Sequence, residues 1–358
     1  MKRKDNTRTG RLMSKALAGS WRQSAFPAFD LTLAELDELT PLLCSSGAAA
    51  LAWNRISQTD LRDSASGEVL HHAARLQSLQ TQMHEEKVEK VFRLLQAANI
   101  DVLLAKGWAA SGLYSNRDLR PSGDIDLCVR PEDFKLTEEV LSRPEASDCW
   151  VDLHKGFYEF PERTPDELFA RTDVVHLGKA EIRILGREDH LALLCIHFLK
   201  HGGWRPLWLC DISAAIESLP SNFDWNTCLG RNKTRARWIE CAISLAQRLL
   251  EADSENLPVG VNPMNVPAWL VDNVLQQWAT PFAMDQPPMS HPLPMAELLR
   301  RPSGLLEGLG KRWPNPILAT VSVEGSFNEF PRFPYQLANC VSRAGRFLVH
   351  GLKGSRQS

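Results

Sequence analysis

The chain predicts an α+β protein, a small mixed sheet with its own helices flanked by helical N- and C-terminal regions. Two observations carry this. Apolar residues recur at helical spacing before about residue 99 and again after about 187. Between those limits, short period-two segments alternate with short helical ones, as in a compact sheet-bearing core. The implied boundaries are a flexible N-terminus at 1–25, a helical region at 26–99, the sheet-bearing core at 100–186, a helical region at 187–256, and a Pro-rich and helical C-terminal region at 257–358.

Residues 1 to about 25 are polar and read as loosely ordered. Thr32 followed three residues later by Glu35 marks a capped helix start, Leu36 and Leu39 continue its apolar stripe, and Pro41 begins another segment. From Leu70 to Ala98 one long amphipathic helix is expected, with Leu76, Leu79, Met83, Val88, Val91, Leu94 and Leu95 near helical spacing. Asn99 ends it, and Ile100–Leu104 reads as the first strand. Helix 108–114, strand 125–129, helix 132–141 and strand 149–154 follow, with Glu181–Leu185 a further strand and Asp173–Leu177 another. The chain then returns to helix at 191–201, 208–219, 225–229 and 234–252. Prolines at 258, 263, 267, 281, 287, 288, 292 and 294 argue against long regular elements there. Tyr335–Leu352 reads as a basic amphipathic helix, with Leu337, Val341, Ala344, Phe347 and Leu348 on one side and Arg343 and Arg346 on the other, a pattern that either packs on its own domain, the commoner case, or touches a membrane surface.

Composition narrows the class. A 44% hydrophobic and 23% charged chain is ordinary for a soluble globular protein. A net charge of −2 gives no global basic field for a long nucleic acid. Eight cysteines, scattered and without a C-x-x-C pair, read as buried thiols in a reducing cytoplasm. The basic N-terminus has no continuous apolar run, so no secretory signal is expected, and no apolar run of about 18 residues suggests a membrane span. Eleven tryptophans spread along the chain read as core packing.

The chemistry concentrates between Leu103 and Arg130. Asp124 and Asp126 alternate with Ile125 and Leu127, so on a strand both carboxylates share one face and the apolar residues take the other. Two carboxylates side by side repel unless a cation sits between them, and for all-oxygen ligands that cation is Mg²⁺, with Mn²⁺ as the alternative. Upstream, Lys106-Gly107 stands where a strand turns into a helix, a place where backbone N–H groups approach phosphate. Lys106 either touches that phosphate or is a solvated strand end. Arg120, in the loop Arg120-Pro121-Ser122-Gly123, either offers its planar fork to phosphate or balances the two aspartates. In Val151-Asp152-Leu153-His154, Asp152 is the polar residue of a second alternating strand. His197 and His201, four apart on one helix, have zinc-holding geometry but lack the companion Glu of a zincin.

This set resembles the nucleotidyltransferase superfold typified by DNA polymerase β, and more finely a family of largely uncharacterised bacterial nucleotidyltransferases. The matching pieces are Lys106-Gly107, Arg120, Asp124-Ile125-Asp126-Leu127, Val151-Asp152-Leu153-His154 and the stretch from His197 to Ile212, so the resemblance covers roughly residues 30 to 250. One departure is Gly107-Trp108 where the superfold usually has Gly-Ser or Gly-Gly. The resemblance implies a polymerase-β-like core in which Asp124 and Asp126 hold the metal. Asp152 completes a second-metal position or acts as general base. It also implies that Lys200, His201 and Arg205 face the triphosphate, with Asp211 fixing one of the cations. The partners it implies are an NTP, ATP foremost, and an acceptor that the sequence does not identify. Near-neutral charge favours a small molecule, sugar, peptide or protein over nucleic acid. Two rivals are a metal-dependent glycosyltransferase, which would need a nucleotide-binding α/β half before the Asp-x-Asp, and a non-catalytic nucleotide-binding module, which would be expected to lose carboxylates.

Overall fold

Alternation along five short segments produces one mixed sheet, and everything before it is helical. A computed structural model of the protein describes residues 2–157, 159–253, 257–258, 260–281 and 313–354. Four helices come first: α1 (Lys2–Leu17), α2 (Leu33–Ser46), α3 (Ala49–Ile56) and α4 (Ala65–Ala97). The core then runs β1 (Val102–Ala105), α5 (Gly107–Ser111), β2 (Ile125–Val129), α6 (Phe134–Leu141), β3 (Val151–Lys155), α7 (Pro165–Ala170), β4 (Asp173–Leu177) and β5 (Ala180–Ile184). The helices α8 (Arg187–Lys200), α9 (Pro206–Glu217), α10 (Trp225–Leu229), α11 (Lys233–Leu250) and α12 (Ala268–Trp278) follow, with Pro316–Ser322 and Phe333–Gly354 after them.

The sheet order is β3-β2-β1-β5-β4. Strand β2 pairs antiparallel with β1 and parallel with β3, while β5 pairs parallel with β1 and antiparallel with β4. This is the α+β architecture the sequence predicts. The period-two alternation sorts the two faces. Ile125, Leu127 and Val129 of β2 join Val102 and Leu104 of β1 against Val88, Val91, Phe92 and Leu95 of α4. Cys128 faces the other way, into the helical core built mainly from α1–α3, α8, α9, α11 and α12. Burying each such Val, Leu or Phe stabilises the fold by about 1.5–3 kcal/mol. The same alternation turns Asp126 away from α4.

Three expectations need correction. The N-terminus is not loosely ordered: Lys2–Leu17 is helical, and Met13, Ala16 and Leu17 are fully buried. Gly10 permits this, because a Cβ there would collide with the Leu275 carbonyl of α12. Pro41 does not start a new segment. The Thr32–Glu35 capping box starts α2 as expected, but the helix continues through Pro41, held by buried Leu36, Leu39 and Leu43 at the cost of one backbone hydrogen bond. Only the second half of the α4 stripe is core; Leu76, Leu79 and Met83 are 57%, 59% and 60% exposed. Pro287, Pro288, Pro292 and Pro294 lie outside the described residues, as do the side chains of Arg346, Phe347 and Leu348. Among the described residues, no helix is long and apolar enough to cross a membrane, and none of the eight cysteines is disulfide-bonded.

Candidate active site

The site grows from the ends of three adjacent strands. Pairing of Ala105 with Asp126 sets the end of β1 beside the metal-type carboxylate, so the next residue, Lys106, reaches it. Lys106 Nζ lies 2.7 Å from Asp126 Oδ1. Lys106 itself has φ +49° and ψ −142°, an uncommon conformation for a side-chain-bearing residue and one that clusters at functional turns. Gly107 follows with φ +28°, which a Cβ would strain. Trp108, the departure from the usual small residue, does not obstruct the turn. Its indole is buried on the α4 side, donates from Nε1 to Glu85 Oε1 at 3.0 Å, and carries the Arg117 guanidinium 4.1 Å from its ring centre.

Parallel pairing of β2 with β3 puts Asp126 directly beside Asp152, and Cys128 beside His154. Asp126, Asp152 and His154 offer three donor atoms within 4.8 Å of one another. His154 Nε2 stands 3.1 Å from Asp152 Oδ2 and 3.6 Å from Asp126 Oδ1, a buried ion-pair contact with both carboxylates but no well-aligned hydrogen bond to either. A buried nitrogen left in that state, next to two carboxylates, fits a cation placed among all three. Burial works to raise the Asp126 pKa, but His154 and Lys106 outweigh it and hold the carboxyl below its ordinary value. The Asp126 carboxylate in turn lifts His154 above the usual imidazole value, against burial. His154 was not among the ligands the sequence reading selected. The signal was present, since Asp152 and His154 alternate on β3 as Asp124 and Asp126 do around β2. Asp124 sits one residue before β2, exposed at the rim of the same cavity and outside the three-donor group.

That cavity, about 710 Å³, is closed opposite the carboxylates by the end of α8 and the start of α9. Lys106, Gly107, Arg120, His201 and Arg205 line it, as do His197 and Trp208. The rings of His197, His201 and Trp208 pack against one another in tilted and edge-on contacts, with centres 4.4–5.1 Å apart. Burial first, then the charges of His201 and Lys106, push the His197 pKa well down. His201 is lowered to about 4 by burial and by Lys200 and Lys106. Both imidazoles are therefore neutral near pH 7. Arg205 Nε donates to the Ser46 carbonyl at 3.1 Å, and burial lowers it only to about 10, so it stays cationic. The histidine pair gains no third metal ligand among the described residues.

Arg120, Asp211 and Lys200 stand differently from their expected places. The Arg120 fork is closed on Asp211, with Nε to Oδ1 at 3.1 Å and Nη2 to Oδ2 at 2.9 Å. The Tyr114 hydroxyl donates to the same Oδ1 at 2.6 Å. Asp211 does fix a cation, but that cation is Arg120, and the carboxylate is fully buried beneath the cavity rather than lining it. Arg120 forms its ion pair with Asp211 and not with Asp124 or Asp126; Nη1 donates to the Pro121 carbonyl at 2.7 Å and pins the loop that enters β2. Lys200 turns away from the cavity toward buried Glu159, with Nζ 3.5 Å from Oε1.

Paired strand carboxylates, a strand-to-helix turn carrying Lys106 and the Arg205 cation thus line one cavity. The chain belongs to the family described as "Uncharacterised nucleotidyltransferase", whose model matches residues 32–251, well over half the sequence. The mixed five-stranded sheet fits the polymerase-β-like core of that class. No curated protein and no solved structure matches the chain.

Proposed function

We propose that the protein is a divalent-metal-dependent nucleotidyltransferase that moves an NMP from an NTP, ATP foremost, to an acceptor hydroxyl with release of pyrophosphate. The observation that carries this is the side-by-side register of Asp126 and Asp152 in one cavity with Lys106 and Arg205. Asp124, Asp126 and Asp152, with His154, would hold Mg²⁺ or Mn²⁺; the imidazole in the set favours the softer Mn²⁺. When bound, the metal supplies charge neutralisation at the phosphates.

The protein's own groups account for the rest. Lys106, the backbone at Gly107, and Arg205 orient the phosphates, while His201 with Trp208 offers a neutral surface beside them. Asp152, with its side chain about half exposed (54%), would either complete the metal set or take the acceptor's proton as general base. Arg120 and Asp211 position the loop and α9 on which these groups stand. A glycosyltransferase reading is disfavoured because the described residues before β1 form helices and no strand. A non-catalytic module is disfavoured because every carboxylate is retained.

The direct test is incubation with each α-³²P-labelled NTP, Mn²⁺ or Mg²⁺, and extract fractions. Label transfer with pyrophosphate release is expected, and its absence with all four nucleotides would reject the reading. Asp152→Asn is expected to lower kcat more than it raises the nucleotide Kd, since its role is at the acceptor. A raised Kd with normal single-turnover chemistry would remove that role. Arg205→Ala is expected to weaken nucleotide binding about tenfold, the loss of one charged hydrogen bond. Lys200→Ala, aimed at Glu159, should change it far less. Isothermal titration separates the two, and an equal loss in both variants would return Lys200 to the nucleotide wall.

A further inference from the structure

The last helix, Phe333–Gly354, lies on the protein by its polar side. Gln336 Nε2 donates to the Pro314 carbonyl at 2.7 Å, and Asn339, one turn further along, is 1% exposed. Arg332, at the helix entry, is buried too; Nη1 donates to the Ser326 carbonyl at 2.9 Å, and the guanidinium stands 4.4 Å from the Tyr335 ring centre. The apolar stripe faces the other way. Phe333, Leu337 and Val341 recur every four residues and so share one face, and they are 60%, 48% and 65% exposed. Ala344, also exposed, continues the row. At its start the exposed indole of Trp313 stacks on Phe333, with ring centres 5.8 Å apart. An amphipathic helix ordinarily turns its apolar stripe to the core. One that buries its polar side instead leaves a surface for something else to cover.

Charge selects what covers it. From 333 to 358 the sequence holds Arg343, Arg346, Lys353 and Arg356 and no aspartate or glutamate, in a chain whose net charge is −2. Helical spacing sets Arg343 and Arg346 on the side opposite Leu337 and Val341. An apolar row backed by cations, with no acid, is the pattern of a helix lying in the plane of an anionic bilayer surface. The helix is about 10–12 Å across, close to a Debye length at physiological salt, so cations on its polar side still act on lipid phosphates. A tryptophan at the edge of the row suits the water–lipid boundary. A second copy of the chain fits less well, since a stable protein–protein contact engages about 20–30 residues a side and this row offers five side chains. The helix lies on the bilayer and does not span it, for among the described residues none is long and apolar enough to cross.

We propose that the protein docks reversibly on anionic phospholipid surfaces through this helix. Trp313, Phe333, Leu337, Val341 and Ala344 enter the boundary between headgroups and acyl chains, and the arginines and lysine that follow hold the docked state by attraction to lipid phosphates. The assignment is independent of the nucleotidyltransferase reading; it places the chain at a membrane face and adds no step to the reaction.

The test is flotation of the full chain with vesicles of phosphatidylcholine alone or mixed with phosphatidylglycerol. Binding to the mixed vesicles, and far less to the neutral ones, is expected, and it should weaken as salt is raised. Leu337→Glu with Val341→Glu should abolish it, with an unchanged near-UV circular dichroism spectrum because both side chains are exposed. Arg346→Gln with Lys353→Gln should weaken binding to the mixed vesicles about thirtyfold, at about fivefold for each cation lost. The proposal is overturned if the chain floats with neither vesicle, floats with both equally, or still floats after the two glutamate substitutions. Two further outcomes would give the face to another occupant. A dimer in lipid-free ultracentrifugation that those substitutions disperse would assign it to a second copy. Crosslinking from benzoylphenylalanine in place of Leu337 to residues 282–312 of the same chain, undiminished by vesicles, would assign it to that segment.

Discussion

Asp126→Asn is expected to lower nucleotidyl transfer by about 10³-fold or more, the loss of about 4 kcal/mol that a charge-neutralising site supplies. Asp126 is the least dispensable of the acidic residues because three groups converge on it: Lys106 at 2.7 Å, His154 at 3.6 Å and, across the strand pair, Asp152. Asparagine keeps the shape and removes the charge, so the fold should survive, with unchanged far-UV circular dichroism. Mn²⁺ binding, followed by electron paramagnetic resonance, should fall in parallel with activity. Near-normal turnover in Asp126→Asn, or full Mn²⁺ affinity with lost turnover, would place the metal-type site elsewhere.

Asp211→Asn is expected to destabilise the protein by about 3–5 kcal/mol, because it strands a buried guanidinium without its counter-charge. Arg120 is 5% exposed and Asp211 fully buried, so water cannot take over the solvation of either. Tyr114→Phe should cost less, about 1.5–3 kcal/mol, as the loss of a single hydrogen bond to a charged group. Replacing both partners with apolar residues, Arg120→Met with Asp211→Leu, should recover part of the stability lost in Asp211→Asn. Denaturant unfolding followed by near-UV circular dichroism measures all three. An Asp211→Asn midpoint equal to the unaltered protein's would mean the pair contributes nothing net.

Where one principle governs a residue, the sequence was enough to place it. Alternation alone put Asp126 opposite Ile125 and Leu127, and the parallel neighbour β3 repeats that pattern around Asp152. The capped start at Thr32, the strand-to-helix turn at Lys106-Gly107 and the end of α4 at Ala97 follow local rules and were readable as such. Pairings between distant positions were not. Arg120 and Asp211 are 91 residues apart, and nothing local distinguishes a guanidinium waiting for phosphate from one closed on a carboxylate. Lys200 shares a helix end with His201, yet a turn of the helix is enough to send one to Glu159 and the other to the cavity. Helical spacing in α4 was correct, but spacing does not say where the sheet ends, and so Leu76, Leu79 and Met83 emerge into solvent. The N-terminal helix was missed because its polar residues dominate the count while a few, Met13 and Leu17 among them, do the packing.

The Trp108–Glu85 bond ties the Lys106 turn to α4. Glu85 anchors the turn that carries Lys106, while Met83, His84 and Lys87, all within about one helical turn of it on α4, wall a second pocket of about 480 Å³ that shares Ser122, Gly123 and Trp150 with the main cavity. One helix therefore borders both spaces, like a shared party wall. Displacing that stretch of α4 would disturb the Lys106 turn and the second pocket together, and with them the Val88, Val91 and Leu95 face on which the sheet rests.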